Sequence, residues 1–165
     1  MRVIFLSLIA GVAAVGAGIP LAVAAEPTVS ESVAAEIPHA VEDFSYPGAA
    51  QILATQSIKL KKGDGNITLV ECGTALAQIK VHSVEDGAVG RKGAYCFQVR
   101  GAAGHLTLEL SRVFALETTE HAISADLTVN GATKTVEVAK GGWKSVGEGI
   151  EGGLRSVLVE LRVTG

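Results

Sequence analysis

Residues 123–138, ISADLTVNGATKTVEV, decide the fold class of this chain. Every second residue from Ile123 to Val129 is apolar, and residues 133–138 return with a similar alternation. Asn130-Gly131, between the two runs, is the pair favoured in type I′ turns, which join antiparallel strands. The stretch therefore predicts a β-hairpin. Lys134 fits poorly in a hairpin with a two-residue loop, so a longer loop is an alternative.

The same period of two recurs on both sides of this hairpin and predicts about eight strands. The other strands are expected near residues 58–61, 67–72, 77–81, 95–100, 106–110 and 157–163. In the last of these, one face carries Val157, Val159, Leu161 and Val163, and the other carries Leu158, Glu160 and Arg162. Loops are expected at 84–93, 101–104 and 141–153, and the glycine-rich third loop is interpreted as a flexible surface segment rather than a phosphate cradle.

One short helix is expected before the first strand. Ser45 is a candidate N-cap and Pro47 suits the first turn, while Ala49, Ile52 and Leu53 share one face. Because no βαβ alternation follows, the sequence predicts an all-β domain over residues 44–165, built as an antiparallel sandwich or a small barrel.

Residues 1–25 have the features of a secretory signal peptide. Arg2 supplies a positive start, a continuous apolar run follows, and the small residues around Ala24 and Ala25 allow cleavage after either one. A retained membrane anchor is the alternative, since the apolar run is long enough to span a bilayer. Residues 26–43 hold five acidic and no basic residues and are interpreted as a disordered acidic linker. We therefore expect a secreted protein with no membrane association after cleavage.

The two cysteines, Cys72 and Cys96, are expected to form one structural disulfide in an oxidising compartment. Both fall within predicted strands, so the bridge would join two strands, either across a sandwich or side by side. Two thiols without a histidine at ligand spacing do not make a metal site. The CxxC spacing typical of redox-active pairs is absent.

Charge argues against a nucleic-acid partner. The chain of 165 residues has a net charge of −3, and residues 44–165 carry 12 acidic and 13 basic residues. A nucleic-acid-binding domain usually carries a basic stripe.

No catalytic or cofactor motif is present among the residue patterns considered. The densest polar group, Glu117-Thr118-Thr119-Glu120-His121, could bind a cation but is interpreted as a solvated loop between strands. A small secreted hydrolase using His105 or His121 is the least favoured function, because a triad assembles in space and leaves no local pattern.

Four segments together resemble a group of small secreted proteins of filamentous actinobacteria. They are Leu60…Gly63-Asp64-Gly65-x-Ile67-x-Leu69-x-x-Cys72, then Cys96-Phe97-x-Val99-x-Gly101-x-x-Gly104-x-Leu106-Thr107-Leu108-Glu109, then Trp143-x-x-Val146-Gly147-Glu148, and Leu158-Val159-Glu160-Leu161-Arg162. The resemblance implies a secreted, disulfide-bearing β domain with no assigned activity, and it supplies no catalytic residues.

The favoured function is a non-catalytic extracellular module that binds a cell-wall polymer or a protein partner, because long loops on a rigid β scaffold often carry recognition. Its candidate binding residues are a cation-plus-aromatic set, Arg91, Lys92, Trp143 and Lys144. Taken alone, Trp143 follows Gly141-Gly142 at the start of an expected late strand. Core filling or capping of the sandwich end is the favoured role for its ring, and a place in a binding groove is the alternative. The second hypothesis is a secreted protease inhibitor that presents Arg91 or Lys92 on the 84–93 loop.

Overall fold

The computed structural model describes residues 44–76 and 78–164, so the predicted signal peptide and acidic linker lie outside the described residues. Within these residues a single α-helix, α1 (Ala49–Gln56), precedes ten strands. The strands are β1 (Lys59–Gly63), β2 (Ile67–Val70), β3 (Ile79–Ser83), β4 (Ala94–Val99), β5 (Gly104–Ser111), β6 (Val113–Thr118), β7 (Ile123–Val129), β8 (Ala132–Val138), β9 (Trp143–Ser145) and β10 (Val157–Val163). A 3₁₀-helix, Gly147–Gly149, lies between β9 and β10.

The strands form two antiparallel five-stranded sheets. The first has the order β1-β5-β10-β7-β8 and the second the order β2-β4-β3-β6-β9. The prediction of an all-β fold with one short helix and one disulfide is confirmed, and of the two predicted closures the structure adopts the sandwich. The count of about eight strands was too low. β6 was missed, and β9, at the position of the late strand expected to start at Trp143, lies within the segment 141–153 that was also predicted as a loop.

The predicted hairpin is β7–β8. Asn130 and Gly131 have φ values of 48° and 82°, and Val129 pairs directly with Ala132. The loop is therefore the two-residue type I′ form, in which both central residues need positive φ. The longer loop that Lys134 suggested does not occur.

β6 was not predicted from the sequence because it contains a β-bulge. The register between β3 and β6 shifts between His82 and Ser83, which leaves Phe114 as the extra residue. Alternation therefore breaks near the start of the strand. The predicted solvated loop at 117–121 was wrong at its beginning, since Glu117 and Thr118 belong to β6.

A second bulge changes which residues of β10 face the core. The register shifts between Leu158 and Glu160 against both neighbouring strands. Leu158, predicted on the polar face, is fully buried, whereas Val157 and Val159 are only half-buried. A bulge adds one residue to one strand, so the simple period of two fails across it.

The core lies between the two sheets and is apolar. Its largest fully buried side chains are Tyr95, Phe97, Ile58, Leu60, Ile67, Ile79, Leu106, Leu108, Leu110, Leu116, Ile123 and Leu158. Burial of this kind stabilises the fold by about 25 cal/mol per Å² of apolar surface.

The helix begins later than the proposed cap. Its N-cap is Gly48 in the left-handed conformation, with φ of 70°, and no side chain caps it. Ser45, the predicted cap, instead forms an antiparallel bridge with Lys62. The predicted shared face is only partly buried, because Ile52 packs against the core whereas Leu53 is exposed.

The disulfide joins Cys72 to Cys96, with 5.1 Å between their Cα atoms. Cys96 lies in β4 as predicted, but Cys72 lies in the turn that follows β2 rather than in a strand. Since β2 and β4 are neighbours, the bridge lies within one sheet and does not cross the sandwich.

The segment 141–153 is ordered structure and not the flexible loop that its glycines suggested. It contains β9 and the 3₁₀-helix, and Val146 N–H donates to the Phe114 carbonyl over 2.9 Å. Its glycines permit close packing, because a Cβ atom on Gly149 would meet the Phe114 carbonyl oxygen at 2.1 Å. None of the helices in the described part of the chain is long and apolar enough to cross a bilayer.

Candidate functional site

A line of residues crosses all five strands of the second sheet on the face turned away from the core. The strand registers pair each member with the next in the order Val70, Cys96, Lys80, Glu117 and Trp143. We call these five residues the cross-strand row. Neighbouring strands lie about 4.8 Å apart, so the row spans about 19 Å.

Trp143 stands at one end of the row with its ring accessible. The residue is 54% exposed, so the core or end-cap role considered from sequence was wrong. Its Nε1–H donates to Ser145 Oγ at 3.4 Å. Gly142 makes the tight turn that leads into β9, because a Cβ atom there would lie 2.6 Å from the Ala139 carbonyl oxygen. Trp143 is therefore an exposed ring on a fixed strand.

His82 supports the tryptophan ring and itself packs near Phe114. The His82 ring lies 4.6 Å from the Trp143 ring, centroid to centroid, and 5.8 Å from that of Phe114. His82 Nε2 lies 3.1 Å from the Glu117 carboxylate, and its side chain is 14% exposed. These contacts hold Trp143 from one side and leave its remaining surface open to solvent.

A polar groove continues the row beyond Trp143. It has a volume of about 250 Å³ and is lined by Gly73, Thr74, Gln78, Lys80, Cys96, Glu117 and Thr119. The Gln78 amide nitrogen donates to Glu120 over 3.0 Å, and its amide oxygen accepts from the Val99 N–H at 2.8 Å. Among the ion pairs of residues 44–76 and 78–164, none involves Lys80.

The row and groove combine two kinds of contact. Trp143 offers an apolar aromatic face. Glu117, on the next strand, offers a hydrogen-bond acceptor about 5 Å along the row, and Lys80, one strand further, offers a donor about 10 Å along it. The disulfide lies at the far end, where Cys96 forms part of the groove wall. The arrangement can hold an elongated ligand that alternates apolar faces with hydroxyl groups.

The four binding residues predicted from sequence do not converge. Arg91 is only 11% exposed and pairs with Asp86 at 3.2 Å, and its Nε–H donates to the Val84 carbonyl at 2.7 Å. Its guanidinium therefore stabilises the conformation of the 84–93 loop. Lys92 is exposed but lines a different cavity, beside the disulfide and below α1.

The 84–93 loop does not present a substrate-like segment at these residues. The Lys92 N–H donates to the Tyr95 hydroxyl at 3.0 Å, and the Lys92 carbonyl accepts from Ser83 Oγ at 2.6 Å. A protease would need free backbone groups to pair with an inhibitor loop. The geometry therefore gives the inhibitor hypothesis no support at Arg91 or Lys92.

Trp143 and Lys144 are neighbours in sequence but point to opposite faces of β9. Trp143 pairs with Glu117 on the outer face, whereas Lys144 pairs with Leu116, a core residue. Successive side chains in a strand alternate between faces, so Lys144 faces the interior side of the sandwich edge.

Of the two histidines considered for hydrolysis, His105 has a carboxylate beside its ring. His105 Nδ1 lies 3.7 Å from the Asp64 carboxylate. Burial raises the pKa of Asp64, but N–H donors from Asn66 and His105 outweigh it, and the pKa lies below its usual value. The carbonyl of His121 accepts from Thr118 Oγ1 at 2.7 Å. Within the described residues, no cluster of three or more His, Cys, Asp or Glu side chains could hold a metal ion.

No family model matches the chain, and no curated protein sequence matches it either. Among solved structures the chain is similar to an antifungal protein from Streptomyces tendae Tu901, determined by NMR, with 18% identity and a TM-score of 0.44. The match covers 59% of this chain and 99% of the other. A likeness of this degree assigns neither a fold nor a function to the chain.

Proposed function

We propose that this protein is a secreted, non-catalytic module that binds an extended, uncharged polysaccharide along the cross-strand row. The observation that carries the proposal is the exposed Trp143 ring, fixed in register with Glu117 and Lys80. The C–H face of a sugar ring packs on an aromatic face, and its hydroxyls hydrogen-bond to the adjacent charged side chains.

The shape of the site supports an elongated ligand. The row runs about 19 Å across the strands, which is longer than one sugar ring. Because Trp143 is already held by His82, little side-chain entropy is lost when a ligand packs on it.

Charge supports a neutral polymer over a polyanion. Residues 44–165 carry 12 acidic and 13 basic residues, and the row itself contains one cation and one anion. A polyanion would be attracted most strongly by a surface of one sign.

The same surface favours a polymer over a protein partner. Protein interfaces usually have an apolar centre of several fully desolvated side chains. The row instead has two charged residues, Lys80 and Glu117, at its centre. The disulfide supports an extracellular setting, since such bridges form and persist in oxidising compartments.

Retention on insoluble polysaccharide tests the proposal. Wild type, Trp143→Ala and Phe44→Ala are incubated with two insoluble uncharged polysaccharides, β-1,3-glucan and microcrystalline cellulose, and the bound fraction is measured across protein concentrations. Phe44 is the matched control because it is 59% exposed and lies outside the row. We expect Trp143→Ala to weaken binding at least tenfold, a loss of about 1.4 kcal/mol. Phe44→Ala should bind like wild type.

Equal retention of Trp143→Ala and wild type would remove the row from the binding site. Circular dichroism of each variant checks that the fold is intact. Since the side chain of Trp143 is exposed, its removal should leave the core unchanged.

A further inference from the structure

A second cavity lies at the opposite side of β9, between the edges of the two sheets. β8 is the edge strand of the first sheet and β9 the edge strand of the second. The cavity has a volume of about 360 Å³, within the range of about 300–1,000 Å³ usual for small-molecule sites. Its apolar lining includes Leu127, Val129, Val136, Val146 and Ile150. We call it the edge groove.

Two lysines line the edge groove, one from each sheet. Lys134 pairs across the strands with Leu127, and Lys144 pairs with Leu116. Both leucines belong to the core, so both lysines lie on the interior side of their edge strands. Both residues are nevertheless exposed. Their methylene stems therefore line the groove while their ammonium groups reach solvent at its mouth.

Neither lysine has an acidic partner within the described residues, where none of the ion pairs involves Lys134 or Lys144. Inward-pointing charges on edge strands discourage sheet-to-sheet aggregation. That role needs no cavity beneath the charges. Glu137 also borders the groove, but it pairs with Ser124 and therefore lies on the opposite face of β8 from Lys134. An apolar groove with two cations at its mouth that form no ion pair is complementary to an anionic amphiphile.

The groove wall is preformed on the β9 side. The Val146 N–H donates to the Phe114 carbonyl and the Ile150 N–H to the Gly147 carbonyl. A Cβ atom on Gly153 would lie 1.8 Å from the Gly147 carbonyl oxygen, which shows how closely this segment folds on itself. A fixed wall lowers the ordering cost of binding.

We propose that the edge groove binds a single-chain anionic amphiphile of the fatty-acid class. The alkyl chain packs against the apolar walls, and the carboxylate lies between the ammonium groups of Lys134 and Lys144. The site is separate from the cross-strand row, because Lys144 and Trp143 face opposite sides of β9.

Isothermal titration calorimetry with dodecanoate below its micelle concentration tests the proposal. The test variant is Lys134→Gln/Lys144→Gln, and the matched control is Lys62→Gln/Lys92→Gln, which removes two exposed lysines outside the groove. We expect one dodecanoate per chain for wild type and control, and affinity at least tenfold weaker for the test variant. Dodecyltrimethylammonium, with the same chain and opposite charge, should bind at least tenfold more weakly than dodecanoate.

Amide chemical-shift mapping of the wild type locates the ligand without any substitution. Dodecanoate should shift the signals of Val136, Val146 and Ile150. The proposal is overturned if wild type takes up no dodecanoate, if the test variant binds it as tightly as wild type, if the cationic detergent binds equally well, or if the shifts lie elsewhere. Since polysaccharide retention uses the other face of β9, failure here leaves the result for the row unaffected.

Discussion

Asp126, on the outer face of the first sheet, illustrates how single residues set the acid response of this fold. Thr135 Oγ1 donates to its carboxylate at 2.6 Å, and Arg162 pairs with its other oxygen. Arg162 also contacts Glu160 at 2.6 Å. The hydrogen bond from Thr135 lowers the pKa of Asp126, burial opposes that change, and Arg162 adds to the lowering.

A carboxylate with a lowered pKa stabilises the folded state above its unfolded pKa of about 3.9, and this contribution is lost as the pH falls through the folded value. We expect Asp126→Asn to reduce stability at pH 7 and to make the free energy of unfolding depend less steeply on pH below about pH 4. Urea unfolding across this pH range measures the effect. Glu137→Gln, on the neighbouring strand, is the control. Identical pH slopes for Asp126→Asn and wild type would show that the Thr135–Asp126–Arg162 contacts contribute nothing.

Individual elements differ in how far their sequence defines them. The β7–β8 hairpin was predictable because Asn130-Gly131 specifies its turn locally. β6 and the faces of β10 were not, because bulges at Phe114 and next to Leu158 change the period within the strand. A bulge depends on the partner strand, and the partner is distant in sequence.

The candidate site was likewise only partly predictable from the sequence. Trp143 was predictable as a candidate because it is the single tryptophan. Its partners His82 and Lys80 were not, because β3 and β9 meet only through β6. The alternation of β3 does place Lys80 and His82 on one face, which was the available signal. Arg91 was predicted as a binding residue because of its charge. Its ion pair with Asp86 could not be predicted, because that pair depends on the folded geometry of the 84–93 loop.

The Cys72–Cys96 bridge fastens the end of β2, an edge strand, to β4. It closes a sequence separation of 24 residues, for which loop-closure entropy gives a stabilisation of about 3 kcal/mol. We expect Cys72→Ser/Cys96→Ser to lower the melting temperature by roughly 10 °C or more, measured by calorimetry. Wild type treated with a reductant should show a similar decrease, whereas Thr74→Ala in the same turn should not. An unchanged melting temperature in the double variant would contradict a stabilising role for the bridge.

At the scale of the whole molecule, one short strand separates the two proposed binding surfaces. β9 presents Trp143 to the outer face and Lys144 to the edge groove. We therefore expect a substitution in one proposed site to leave binding at the other unchanged. Acidic and basic residues nearly balance over residues 44–165. This balance suits recognition of hydroxyl groups and apolar faces, whereas a strongly charged ligand would favour a surface of the opposite charge.

The central claim is that a polysaccharide lies across the strands of the second sheet. Amide chemical-shift mapping of the isotope-labelled protein, titrated with a soluble oligosaccharide of whichever polymer retains it, tests this most directly. We expect the largest shifts at the residues of the cross-strand row, in particular Lys80, Glu117 and Trp143, and small shifts at Arg91 and Lys92. Shifts confined to the 84–93 loop or to the edge groove, with the row unaffected, would contradict the claim.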